Sequence, residues 1–295
     1  MAFEHRVKFG RTGLSVSKIG LGSSYGLRGA EVERAFERGV NFLFWGSRRR
    51  GSFGDGVRQL AKQHRENVVI AVQSYSRSAA LMGCSVDRAL KSLAVDHVDI
   101  LCLAWWNDVP PQRILEKAYE VRESGKARHL MISCHHRPSF DAMLHAEIAM
   151  DVKPVESIML RYNAAHPGAE QDVFPHLDGI PPASAPGVLA FTATRWGSLL
   201  DPKNIPPGER VPRASDCYRF ALSNPRIHVS LAGPRTADEL DAVFEALEKG
   251  PLDAEEDAWM RRVGKVVRNG PGDKLKTIDR LASPSSPECD TASVS

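Results

Sequence analysis

Gly10-Arg-Thr-Gly-Leu-Ser-Val-Ser-Lys-Ile-Gly-Leu-Gly22 is the stretch from which the fold is read. Two short β-prone pieces, residues 6–9 and 14–16, flank Arg11-Thr12-Gly13 and predict a hairpin closed at that turn. Residues 18–21 then form the first strand of something larger, and Gly20 and Gly22 allow the chain to turn tightly there. These two glycines are not a dinucleotide fingerprint of the Rossmann type, because no third glycine and no downstream acidic residue stand in register.

Outward from this segment, apolar β-branched runs alternate with stretches of helical period. Strands are expected over 18–21, 41–44, 68–72, 97–103, 128–133, 155–160, 187–192 and 228–231. Helices are expected over 31–38, 85–93, 111–124, 139–150 and 237–249. Val86, Ala89, Leu90 and Leu93 recur at helical spacing, and Pro110-Pro111 and Gly125 sit where a helix begins and stops. Eight strands, each followed by a helix or loop, predict a parallel (β/α)8 TIM barrel of the α/β class with an N-terminal β-hairpin. Proline-rich residues 177–186 and 202–212 are expected as surface loops. A single barrel over 1–281 and a disordered tail over 282–295 complete the expected organisation.

The bulk numbers narrow the class. A chain of 295 residues, 42% hydrophobic and 25% charged, is long enough for one barrel with a large core. A net charge of +3 with mixed signs argues against nucleic acid or an anionic membrane as partner, and Arg48-Arg49-Arg50 is too short a run to change that. Five scattered cysteines, without a Cys-x-x-Cys pair, point to a reduced, cytoplasmic setting. No signal-like or membrane-spanning stretch is found, and His5, His64 and His145 lack partners at metal-ligand spacing, so no metal is expected.

In order and spacing, the segments resemble the aldo-keto reductases. The resemblance is carried by the opening motif, by Glu37-Arg-Gly-Val-Asn-Phe42 and by Gly125-Lys-Ala-Arg-His-Leu-Met-Ile-Ser133. It continues through Arg161-Tyr-Asn163, Leu189-Ala-Phe191, Phe220-Ala-Leu-Ser-Asn-Pro225, Leu231-Ala-Gly-Pro-Arg235 and Glu239-Leu240. It implies a barrel that holds NADP(H) at the C-terminal ends of its strands and reduces carbonyls. In that family a tyrosine acts as general acid, with a lysine and an aspartate lowering its pKa and a histidine orienting the carbonyl.

Carried over residue by residue, those roles find no match. Phe44 stands at the aspartate position, Arg49 or Arg50 at the tyrosine, Gln73 at the lysine and Ala104 at the histidine. A positioned general acid contributes about 10² to 10⁴ in rate, so the family mechanism is not expected to operate unchanged. Candidate replacements are Tyr25, Tyr75, Arg49 and His135, with Arg49 placed to lower a phenol's pKa and His135 and His136 titrating near neutrality. A substrate pocket is expected around Trp45, Trp105, Trp106 and Arg161, suited to a flat or anionic small molecule.

The cofactor positions are partly kept. Ser133 matches the serine on the nicotinamide amide, Phe191 the aromatic that stacks on the ring, and Gly233 and Arg235 the phosphate-side segment. Cys134 and Met159 replace amide-bearing residues, while Glu239, Ala242 and Val243 depart from the adenine side. Three readings stand open: an NADP(H) oxidoreductase with a non-standard site, an inactive pseudoenzyme that binds a metabolite, and a lyase or isomerase using His135 or His136.

Overall fold

Eight parallel strands close on themselves in the order β10-β3-β4-β5-β6-β7-β8-β9 in a computed structural model. The structure describes residues 2–46, 52–137, 140, 143 and 155–270. A two-stranded antiparallel hairpin, β1 (Val7–Lys8) and β2 (Ser15–Val16), precedes the barrel. The barrel strands are β3 (Ile19–Gly22), β4 (Phe42–Trp45), β5 (Val69–Ser74) and β6 (Val98–Leu103), then β7 (Ala127–Cys134), β8 (Ser157–Arg161), β9 (Gly187–Phe191) and β10 (Val229–Ala232). Each overlaps the segment in which the sequence predicts a strand, and the barrel is the expected one.

Alternation along the strands sorts the core into two bodies. Phe42, Phe44, Val69, Ala71, Ile100, Cys102, Met131, Met159, Leu189 and Val229 fill the barrel interior. Their neighbours Leu43, Trp45, Ile70, Val72, Leu101, Leu103, Leu130 and Ile132 face outward into the layer beneath the helices. The hairpin stops the N-terminal end of the barrel: Phe9 meets Phe42 edge to face, with ring centroids 5.8 Å apart. The opposite, C-terminal end is left for the site.

Helices Gly29–Glu37, Ala79–Leu93, Gln112–Glu123 and Ala237–Lys249 stand where helical spacing predicts them, the last with the expected bounds. The helix expected over 139–150 and the tail over 282–295 lie outside the described residues. Besides the single turn Ala169–Asp172, three helices among the described residues stand outside the expected segments: Phe53–His64, Ala214–Ser223 and Ala254–Asn269. Gly54 and Gly56 hide the first from a propensity reading. The third carries a capping box between Asp253 and Glu256 and buries Trp259, Met260, Val263 and Val267, a signal present in the sequence. Among the described residues, no helix is long and apolar enough to cross a membrane.

Candidate active site

The strand alternation that puts Phe42 inside also puts Phe44 inside one layer higher, beside Gln73, Ser133 and Phe191. These four side chains open into a cavity of about 580 Å³ at the C-terminal mouth. Tyr25, Tyr75, Trp105 and His135 also line it, as do Gly233, Arg235 and Glu239 at one end. One cavity therefore gathers seven of the residues singled out in the sequence as catalytic or cofactor-binding candidates, together with Trp105. Ala104 is buried just past β6, its N–H bonded to Ser74 O at 2.9 Å, and does not line the cavity. Arg49 lies outside the described residues.

Three expected pocket residues do not line the cavity. Trp45 follows inward-facing Phe44 and so points out, where its indole lies 3.1 Å from the position a Cβ on Gly54 would take. Trp106 is buried in the outer layer, covered by the Arg77 guanidinium 3.9 Å from its ring centroid. Arg161 is buried behind the cavity, where its charge acts on His166.

Arg77 also sets the turn that separates the two tryptophans. Its Nη1 donates to the carbonyls of Tyr75 and Ala104, each at 3.1 Å, and its Nη2 donates to that of Trp105. Trp105 takes a left-handed conformation with φ 55°, and its N–H donates to Ser133 Oγ at 3.0 Å. This turn sends the Trp105 indole into the mouth and Trp106 away from it. Strain of this kind collects around the cavity: Thr192, Arg195 and Trp196, on the loop after β9, also have positive φ. Thr192, Trp196 and intervening backbone form the cavity wall between Phe191 and Arg235, a contribution that strand and motif reading did not anticipate.

His135 is held between two rings, its centroid 4.8 Å from Trp105 and 5.3 Å, edge-on, from Phe191. Beneath them Cys102 lies within hydrogen-bond reach of the Ser133 hydroxyl, and burial pushes its thiol up to about 12, which makes it an inert thiol. At the other end, Tyr25 packs so closely on Gly233 that a Cβ there would fall 2.2 Å from the phenol ring. The Arg235 guanidinium lies over the same ring, 5.6 Å from its centroid. Gly233 is thus required by a side chain of the protein itself.

Behind the cavity, His166 is buried with its Nε2 against Arg195 Nη1. Burial first, then the charges of Arg161, Arg195, Arg268 and Arg137, push its pKa down to about 2, so the ring stays neutral. The Asn163 side chain ties this region to the strained loop, donating to Thr192 O at 2.8 Å and accepting from the His166 N–H at 2.9 Å.

No protein-family model matches the chain. Among solved structures it is similar to the aldo-keto reductase AKR11C1 from Bacillus halodurans in its apo form, with a TM-score of 0.70, 20% identity, and coverage of 88% of this chain and 96% of that one. The holo form of that protein gives the same TM-score and coverage at 21% identity. The fold is that of an aldo-keto reductase. Within this barrel, the mouth just described occupies the face on which barrel enzymes place their sites.

Proposed function

We propose that the chain is an oxidoreductase that binds a nicotinamide dinucleotide along this cavity and acts on a small flat carbonyl or alcohol, with His135 handling the proton. The observation that carries the proposal is the enclosure of His135 between Trp105 and Phe191, in the same cavity as Gln73 and Ser133. The residues fit the cofactor in outline: an aromatic face at Phe191, a hydroxyl at Ser133 and a cation at Arg235. When bound, the dinucleotide supplies or accepts the hydride. One of the structures named above, AKR11C1, was solved in a holo form.

The protein's own groups then have distinct tasks. Trp105 and Phe191 exclude water from one side of the substrate, and Gln73 offers amide donors and acceptors to its oxygen. His135 exchanges a proton with that oxygen without the lysine-assisted phenol that the family uses.

A second reading, a metabolite-binding barrel without turnover, is favoured by Phe44, Gln73 and Ala104, which put no group titrating near neutrality at three strand ends. Purified protein tested with both reduced dinucleotides and a panel of aromatic carbonyls separates the two. Turnover is expected, with His135→Asn lowering kcat about 10²-fold or more while dinucleotide affinity holds, and with Tyr25→Phe and Tyr75→Phe staying within a few fold of wild type. Dinucleotide binding without turnover on any carbonyl would leave the second reading in place.

A further inference from the structure

At the head of the Ala237–Lys249 helix, Arg235 and Glu239 line the wall of the cavity. A helix head of this kind ordinarily seats an anion on its free N–H groups. Here the chain provides its own. Glu239 Oε2 accepts from the Arg235 N–H at 2.6 Å, and the Glu239 N–H donates to Thr236 Oγ1 at 3.2 Å, so a carboxylate stands in the cavity wall at the positive end of the helix. Asp238 lies in the same first turn, and Tyr25 holds the Arg235 guanidinium over its ring.

From this arrangement we infer that the mouth selects the dinucleotide with a free ribose 2′-hydroxyl, NAD(H), over its 2′-phosphorylated form, and that Glu239 is the selecting residue. The inference rests on the dinucleotide reading above and fixes which of the two dinucleotides is taken. A carboxylate accepts hydrogen bonds from vicinal ribose hydroxyls, whereas a phosphate monoester carries about −1.5 to −2 charge and is repelled by it. The NADP(H) implied by the family resemblance therefore gives way at this one residue. The carboxylate is committed to an N–H of its own backbone, so making room for a phosphate breaks that bond as well as opposing the charge.

Titration calorimetry of the full chain with NADH and with NADPH, on wild type, Glu239→Gln and Glu239→Arg, tests this directly. Wild type is expected to bind NADH about tenfold or more tighter than NADPH. Glu239→Gln keeps an acceptor for the Arg235 N–H and should bring the two affinities within about threefold, while Glu239→Arg should reverse the order. Far-UV circular dichroism of the Gln variant checks that the helix head survives. NADPH bound more tightly by wild type would overturn the inference and leave the dinucleotide reading intact. An NADH preference unchanged in both variants would remove Glu239 from the role. Binding of neither dinucleotide would remove the dinucleotide reading and this inference with it.

Discussion

Replacing Trp105 with glycine should leave a more stable protein than replacing it with alanine, the reverse of the order found at ordinary positions. Trp105 has φ 55°, where the Cβ of an L-residue meets the following carbonyl at a cost of about 1–2 kcal/mol. Both substitutions remove the same indole, its packing on His135 and its cover over the mouth, so those losses cancel in the comparison. Glycine loses about 0.4–1 kcal/mol relative to alanine through the entropy of the unfolded chain. The balance favours Trp105→Gly by about 0.5–1 kcal/mol. Urea unfolding of the pair, with equal m-values, measures the difference from the midpoints alone. An alanine variant as stable as the glycine variant would show that the left-handed turn held by Arg77 and Ser133 stores no strain, and would remove the case for a preorganised indole at the mouth. In both variants affinity for an aromatic ligand should fall together.

Gly264→Ala should cost about 1–3 kcal/mol, because its Cβ would fall 2.2 Å from the Ala164 carbonyl oxygen and 2.8 Å from the Ala165 nitrogen, both backbone atoms. Gly83→Ala provides the contrast in the same thermal melts: its Cβ meets only the flexible Lys117 side chain at 3.2 Å, and helix propensity predicts a gain of about 0.5–1 kcal/mol. The pH dependence of stability should carry the mark of His166. Its folded pKa near 2 lies below the unfolded value of about 6.5, so the unfolded state takes up the proton first; the contribution is complete above that unfolded value and is lost as pH falls below it. Between pH 7 and pH 5 this amounts to roughly 2 kcal/mol, and His166→Asn should flatten that part of the urea-midpoint profile. An unchanged slope would mean that the ring is not held neutral by its arginine neighbours.

The strands were legible because a barrel strand must present apolar residues to two layers at once, and runs such as Val69–Val72 and Ile100–Leu103 do so without interruption. The direction of each side chain at the mouth was less so. Phe44 and Trp45 are adjacent in sequence and equally aromatic, yet the period of two sends one into the cavity and the other beneath the Phe53–His64 helix. That much follows from alternation once the register is known. Trp105 and Trp106 follow no such rule, because the chain leaves β6 through a left-handed residue fixed by Arg77, a contact 28 residues away in sequence. Arg161 was misplaced for a related reason: an inward position at a strand end does not say whether a long side chain turns into the mouth or behind it.

The layering also separates the mouth from the packing that holds the barrel together. Below Phe44 and Gln73 the interior is closed by Phe42, Ala71 and Cys102, with Phe9 sealing the far end, and around it the outer layer is packed independently beneath the helices. Phe44 and Gln73 sit above this plug, register-paired with Ala71 and Cys102 of the neighbouring strands. His135, which follows β7, stands in this upper layer with its ring held between those of Trp105 and Phe191, so a change of the residue there would alter the mouth and leave the plug packed.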